Sequence, residues 1–373
     1  MNILCVDQYG SLGGAQRCLL DLLPAFVNRH WNVGLAAPID GSLTSHAETL
    51  GCRIEPLRSR QLSSYRKSAA EIAQYTTMVP SWVARLKHAV RAHQIQLLYV
   101  NGPRILPAAA LIARLHSIPM VFHAHHRLTQ SSAIRITAAA LHYARASVIA
   151  CSRFVADSFD RFDGVVRVIY NGVSDSRICE TNRRNTHPIV GVIGRIDREK
   201  GQLEFIRAAQ LIHSVMPEVR FRVVGSPLFG NDVYYEQLLH ESEGLPVTFA
   251  GWTDQVAKAL SELDVLVVPS PGTEATPRII LEAFSAGVPV VSFRSDGIAE
   301  ILKHKETGFL VETRSPEALA GSISDLLRGS SETTRSIIEN ARAAWVEHFQ
   351  LDRFRHDVCE ILETEYQEHA STR

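Results

Sequence analysis

Glu274-Ala-Thr-Pro-Arg-Ile-Ile-Leu-Glu282, running on through Ala283-Phe-Ser-Ala-Gly-Val-Pro-Val-Val-Ser292, decides the reading of this chain. An apolar, helix-compatible run opens after Pro277 and stops at Gly287, with Pro289 just beyond. Apolar stretches at 264–268 and 288–293 flank it, so the whole is a β-α-β unit. Two carboxylates, Glu274 and Glu282, bracket the start of the helix. At a rise of about 1.5 Å per residue, Glu282 stands about 8 Å further along the axis than the first helical residue. One acid can then sit at the helix mouth while the other reaches a different part of an extended ligand. The mouth itself offers free N–H groups to an anion. That arrangement suits a phosphorylated sugar, with hydroxyls at both ends and a diphosphate between. A plain β-α-β unit with two solvated glutamates reads equally well from spacing alone.

The same alternation of short apolar and longer amphipathic runs extends in both directions, as parallel sheets with crossover helices require. Strands are expected at 2–7, 32–37, 52–57, 96–100, 118–124, 146–150 and 165–170. Helices are expected near 14–29, 80–94, 104–116, 131–145 and 152–159. The pattern restarts at Pro188-Ile-Val-Gly-Val-Ile193. From there strands fall at 188–193, 219–224, 246–250, 264–268, 288–293 and 308–311. Helices near 200–215, 232–242, 254–262, 278–286 and 315–328 separate them. The expected division is a first Rossmann-like α/β domain at 1–173, a polar linker at 174–187, and a second at 188–330. Two tail helices within 331–373 are expected to cross back onto the first domain. Two doubly wound domains in series place a cleft where the carboxyl ends of their strands meet.

At 373 residues, 46% hydrophobic and 21% charged, the chain has the size and make-up of a two-domain globular protein. No apolar run approaches the ~18–20 residues that span a bilayer. Met1-Asn2-Ile-Leu-Cys-Val-Asp7 has no basic region, and an acid interrupts it at once, so it reads as a buried first strand and not as a leader. Six scattered cysteines without a C-x-x-C pair indicate neither disulfides nor zinc, and point to the reducing cytoplasm. The net charge of zero hides a split. Residues 1–175 carry 18 Lys and Arg against 10 Asp and Glu, and the remainder carries 21 against 29. The first half is expected to meet something anionic, or else the halves attract each other. No nucleic-acid module is recognisable.

Several loops after strands carry candidate chemistry. Gln8-Tyr-Gly-Ser-Leu-Gly-Gly-Ala-Gln-Arg17 opens the first helix, and Gly13 and Gly14 let backbone approach an anion. Its spacing is not G-x-G-x-x-G, so a dinucleotide fingerprint fits poorly. Gly194-Arg195-Ile-Asp-Arg-Glu-Lys200-Gly201 offers two cations that can converge on one diphosphate and neutralise a leaving group, or a solvated charged turn. His123, His125 and His126 end the fifth strand without a nearby carboxylate or thiol, so a satisfied strand-end histidine outweighs a metal ligand. No D-x-D pair occurs, and no metal is expected. Asn101 and Arg104 follow the fourth strand and are expected on the acceptor side, Asn101 bonding a sugar; Arg127 is placed there with them. Residues 58–93 set seven Lys and Arg against Glu71 alone, with Tyr65, Tyr75, Trp82 and Leu86 interspersed. That segment reads as a contact for an anionic membrane or as a helical pair with its apolar stripe in the core.

In order along the chain these signals resemble the retaining nucleotide-sugar glycosyltransferases of family 4, which have the two-Rossmann GT-B fold. The resemblance is carried by Gly13-Gly14, Pro119 with His125, Ser152, Val168-Ile-Tyr-Asn-Gly-Val173, Gly194-Arg195 with Lys200-Gly201, Val223-Val-Gly225 and Phe249-Ala-Gly251. Asp264-Val-Leu-Val-Val-Pro-Ser270, Glu274 with Glu282-Ala283, Gly297, Glu300 and Thr307-Gly-Phe-Leu310 complete it. It implies that Arg195 and Lys200 bind the diphosphate, that Glu282 takes the ribose, and that Glu274 orients the transferred sugar. Gly13 and Gly14 would approach the diphosphate or the acceptor from the opposite domain, Gly194 would belong to the donor-binding set, His125 would line the sugar pocket, and Gly251 and Trp252 would hold the base. The resemblance also implies a front-face route in which the leaving phosphate takes the acceptor's proton, with no enzyme nucleophile and no cofactor.

One departure bears on donor identity. Family members often follow the first glutamate with Gly or Pro, where this chain has Ala275-Thr276-Pro277 and then Arg278. Arg278 serves an acidic or phosphorylated group there, or is a surface arginine. The implied activity is transfer of a hexose or deoxyhexose to a glycan or lipid-linked glycan in surface polysaccharide assembly, in the cytoplasm or at the inner membrane face. Alternatives are an epimerase, needing no acceptor; a phosphorylase, needing phosphate; a non-catalytic nucleotide-sugar-binding subunit; and an NAD-binding dehydrogenase.

Overall fold

The structure is a computed structural model that describes residues 1–58, 69–177, 187–227 and 232–371, with side chains in the helix from 69 described from residue 75 onward. It divides into two units, Met1–Asn171 with Asp352–Arg373, and Gly172–Leu351.

The first unit is a seven-stranded parallel sheet. Its elements are β1 (Asn2–Val6), α1 (Gly14–Asn28), β2 (Asn32–Pro38), α2 (Ser42–Thr49), β3 (Arg53–Leu57), α3 (Ala69–Ala92) and β4 (Leu97–Val100). They continue as α4 (Leu106–His116), β5 (Met120–Ala124), α5 (Ser131–Ala144), β6 (Ser147–Ala150), α6 (Arg153–Ala156) and β7 (Val166–Val168). The strand order is β3-β2-β1-β4-β5-β6-β7. The winding therefore reverses between β1 and β4, where Val6 lies opposite Val100. Central strands β4, β5 and β6 are buried throughout, which is why they read as unbroken apolar runs and not as alternating ones.

The second unit repeats the plan with six strands. It comprises β8 (Ile189–Ile193), α7 (Gln202–Val215), β9 (Arg220–Val224), α8 (Asp232–Glu241), β10 (Val247–Phe249), α9 (Val256–Ser261) and β11 (Val265–Val268). Then come α10 (Arg278–Ala286), β12 (Val290–Phe293), α11 (Asp296–Ile301), β13 (Phe309–Val311), α12 (Pro316–Arg328) and α13 (Ser331–His348). The order β10-β9-β8-β11-β12-β13 puts its reversal between β8 and β11. Phe205, Ile206, Phe221, Val267, Phe293 and Ile323 form the heart of its core. Among the described residues no helix is long and apolar enough to cross a membrane.

Four features differ from the sequence expectation. Helix α2 is absent from it, because its eight residues are largely polar and only Leu43, Thr44 and Ala47 are buried. Helix α11 opens on Asp296-Gly297, and glycine argues against a helix until its packing is seen. Helix α3 runs through Pro80, the residue expected to start a helix. Finally, only one of the two tail helices belongs to the first unit. Helix α13 packs on α10, and the Arg342 side chain is fixed there by Asp175 at 2.5 Å and by stacking over Trp345. Helix α14 (Leu351–Ser371) joins the first unit. Its Glu365 accepts hydrogen bonds from Ser147 and Arg167 at 2.5 and 2.9 Å, and Arg355 donates to the Asp21 carbonyl at 2.6 Å. Residues 178–186 of the expected linker lie outside the described residues. Its start is tied into the second unit, where Val173 pairs with Gln350.

Candidate functional site

In the second unit the loops after β8 and β11 leave neighbouring strands at the sheet's reversal, the position where open α/β sheets bind ligands. Two glycines allow close approaches to the loop after β11, Gly201 from the loop after β8 and Gly297 from the segment after β12. Gly201 sits at φ +73°, and a Cβ on it would lie 1.9 Å from the Pro269 carbonyl oxygen. Gly297, in the first turn of α11, approaches equally closely, with its Cβ position 1.9 Å from the Ala275 carbonyl oxygen. Only glycine permits either contact.

The consequence is that Lys200 meets Glu274. The Lys200 ammonium donates to Glu274 Oε1 at 2.5 Å, and the Ser270 hydroxyl donates to the same oxygen at 2.9 Å. Ser295 holds the Glu274 backbone, accepting from its amide at 3.4 Å and donating to its carbonyl at 3.2 Å. Lys200 ends a single 3₁₀ turn, Arg198–Lys200, and α7 begins only at Gln202. The fully buried Gln202 braces the loop by donating to the Arg195 carbonyl at 2.8 Å. Arg195 rests against Asp197 at 3.4 Å and Glu199 at 3.8 Å.

Arg278 is not a surface arginine. Its side chain is 15% exposed and pairs with Glu282 at 3.6 Å, one turn along α10. The acid expected at the ribose therefore already has a cation beside it. Ala275, Thr276 and Pro277 are buried, so this loop offers a ligand its backbone more than its side chains. Gly194 and Gly251 end β8 and β10 beside Gly225, whose amide donates to the Gly251 carbonyl at 2.8 Å. Trp252, next to Gly251, is 44% exposed.

The first unit carries its own constellation at the reversal between β1 and β4. Gly13 and Gly14 open α1 with exposed backbone, and a Cβ on Gly14 would touch nothing within 4 Å. Asp7 follows β1, Asn101 follows β4 and His125 follows β5. Asn101, expected to bond a sugar, is only 2% exposed, and its side-chain amide is engaged within the unit. Its Nδ2 donates to Asp7 Oδ2 at 2.6 Å and to the Ala15 carbonyl at 3.2 Å, while its Oδ1 meets His125 Nε2 at 2.8 Å. Gln16 donates to both Asp7 oxygens, at 3.1 and 3.0 Å, and accepts from the Gly13 amide at 3.1 Å. Burial pushes the Asp7 carboxyl up to about 6 from 3.8, opposed by hydrogen bonds from Asn101, the Tyr9 amide, Gln16 and the Gln8 amide.

His123 is wholly buried, stacks on His125 at 4.1 Å between centroids, and meets the Tyr99 hydroxyl at 2.5 Å. Burial pushes it down to about 3, so that ring is neutral. Arg104 lies 5.5 Å from the centroid of the Tyr9 ring, and Arg127 packs on Phe154 at 4.7 Å. Trp82 and Leu86, read as possible interfacial residues, are buried; the Trp82 indole donates to the Arg58 carbonyl at 2.8 Å. Of that basic segment, residues 59–68 lie outside the described residues, while Arg85, Lys87 and Arg91 are exposed.

Sequence reasoning missed Asp7, Gln16, Gln202, Ser270 and Ser295. Asp7 had a visible signal, an acid directly after a buried first strand, but in a linear reading that acid only argues against a leader segment.

Residues 12–177 match the family model described as Glycosyltransferase Family 4, and residues 176–344 match the one described as Glycosyl transferases group 1. The chain belongs to glycosyltransferase family 4. It is 25% identical to the phosphatidyl-myo-inositol mannosyltransferase of Mycobacterium leprae, over 92% of this chain and 91% of that one. It is 22% identical to the Escherichia coli UDP-Gal:alpha-D-GlcNAc-diphosphoundecaprenol alpha-1,3-galactosyltransferase, with 91% of each covered. To the sulfoquinovosyl transferase of Arabidopsis thaliana it is 27% identical, spanning 79% of this chain but 60% of that relative. Among solved structures, Anabaena HepE in complex with UDP and glucose overlays with a TM-score of 0.82 at 25% identity, covering 97% of this chain and 99% of that one. The fold of this family 4 glycosyltransferase is GT-B.

Proposed function

We propose that this family 4 enzyme is a retaining, metal-independent transferase that moves a hexose or deoxyhexose from a nucleoside-diphosphate sugar to a hydroxyl of a glycan or lipid-linked glycan. Surface polysaccharide assembly at the inner membrane face is the setting that fits such an acceptor. The observation that carries the reading is the Lys200–Glu274 pair, held by Gly201 and Gly297 at the reversal of the second sheet. The HepE complex with UDP and glucose, and relatives named for phosphatidylinositol and diphosphoundecaprenol acceptors, support it.

Lys200, Arg195 and Arg278 each rest against a carboxylate. An arriving diphosphate exchanges for those carboxylates on the cations. Glu274 and Glu282 are then released to accept hydrogen bonds from sugar and ribose hydroxyls. The cations hold the diphosphate and stabilise its charge as the glycosidic bond breaks, and the leaving phosphate takes the acceptor's proton on the same face. The exposed Arg85, Lys87 and Arg91 are the groups we propose for contact with an anionic membrane.

A panel of UDP-, GDP- and dTDP-sugars, read by thermal shift and slow hydrolysis, tests the donor class without knowledge of the acceptor. One nucleotide series should raise Tm and release sugar of unchanged anomeric configuration, with EDTA without effect. A flat panel, inverted product or loss of turnover in EDTA refutes the corresponding part.

A further inference from the structure

We propose that Asp7 is a positioning residue whose ionised carboxylate, acting through the Asn101 amide, fixes His125 in the tautomer that carries its proton on Nε2. The orientation of Asn101 follows from chemistry. Its amide group contacts Asp7 Oδ2 and the Ala15 carbonyl on one side, and both of these accept. Nδ2 must therefore face them, which turns Oδ1 toward His125 at 2.8 Å. An oxygen acceptor at that place requires the imidazole to donate, so the proton of the neutral ring sits on Nε2 and the lone pair on Nδ1.

The surroundings hold the arrangement in place. Asp7 is fully buried, and Gln16 and the Tyr9 amide donate to its remaining lone pairs, so the carboxylate has no room to turn. His123 stacks under His125 as a neutral ring and adds no competing charge. Resting on the transferase reading, this bonding holds the His125 ring in one orientation beside the sugar it lines, with Nδ1 turned into the protein. Through Gln16 the same carboxylate also orders the Gly13 amide at the mouth of α1.

The test is Asp7→Asn with His125 read by long-range ¹H–¹⁵N NMR on ¹⁵N-histidine-labelled full-length protein at pH 7.5, the signal assigned with His125→Gln. In Asp7→Asn the Tyr9 amide, 2.8 Å from Oδ1, keeps the remaining oxygen on its side. The new NH₂ then opposes the Asn101 NH₂ across the 2.6 Å contact, a conflict that outweighs the longer 3.2 Å bond to the Ala15 carbonyl, so Asn101 inverts its amide and presents a donor to His125. The wild type is expected to show Nε2–H, and the variant to move toward Nδ1–H. With a donor in hand, kcat should fall about 10²-fold while the donor KM changes little, as misorientation of one group predicts.

A wild-type His125 protonated on Nδ1, or on both nitrogens, overturns the proposal, and this holds even if the variant fails to fold. An unchanged tautomer in folded Asp7→Asn overturns it as well. Failure of the transferase reading would show instead as a flat donor panel with the tautomer as expected.

Discussion

Lys200 and Glu274 stand 74 positions apart and share one short hydrogen bond, with the ammonium one-third exposed. An ion pair so close to solvent contributes about 1 kcal/mol or less to stability, so its geometry matters more than its energy. Lys200→Ala and Glu274→Ala should each lower kcat/KM by about 10²–10³-fold, with Tm within about 3 °C of wild type. Near-normal turnover in either variant removes the roles assigned to them. Asp7 is the opposite case, a charge fully buried at some cost. Its folded-state pKa is about 6, above the 3.8 of an exposed carboxyl. The folded protein therefore keeps this proton to higher pH than the unfolded chain, and the associated stability is present in acid and lost as pH rises from about 4 through 6. Urea unfolding of wild type and Asp7→Asn should diverge across that window, wild type losing on the order of 3 kcal/mol relative to the variant. Parallel curves would mean that Asp7 titrates normally.

Loops, more than helices or strands, carry the specificity of this architecture, and glycine contacts decide where they go. Helix α7 can start against the β11 loop only because Gly201 accepts a left-handed backbone and has no Cβ to strike Pro269. Gly201→Ala should cost about 2–3 kcal/mol of unfolding free energy and push Lys200 away from Glu274. Donor affinity should drop with it, and isothermal titration alongside chemical unfolding checks both. Helix α10 behaves differently. It is set by its own sequence, with Gly287 at φ +71° closing it, and it needs no partner to define its ends.

The chain completes its first unit only at the end. Sheet strands β1 to β7 are made long before α14, yet that helix supplies Phe354, Val358 and Leu362 to the same core, all essentially buried. Each such side chain stabilises by about 1.5–3 kcal/mol, a sum comparable with the whole stability of a domain. Gly172–Leu351 is continuous and carries its own core, so it should unfold in one cooperative step when produced alone. Residues 1–171 should lack a cooperative transition until a peptide spanning 352–373 is added. Circular dichroism against urea distinguishes these outcomes, and a sharp transition in 1–171 alone would show that α14 is dispensable.

Strand and helix positions were legible because hydrophobic periodicity is a local property, and fully buried parallel strands write it plainly. So were the two-unit plan and the loops that bear Arg195, Lys200, Glu274 and Glu282. Which side chain meets which was not legible, because it depends on strand order and on close backbone approaches that no local pattern records. Asp7, Asn101 and His125 converge only once β4 lies between β1 and β5. Arg278 reaches Glu282 only through its buried rotamer, and α13 parts from α14 only through the packing of α10. Local chemistry wrote the elements; the tertiary fold chose the partners, because contacts between distant residues exist only after the sheet has set their spacing.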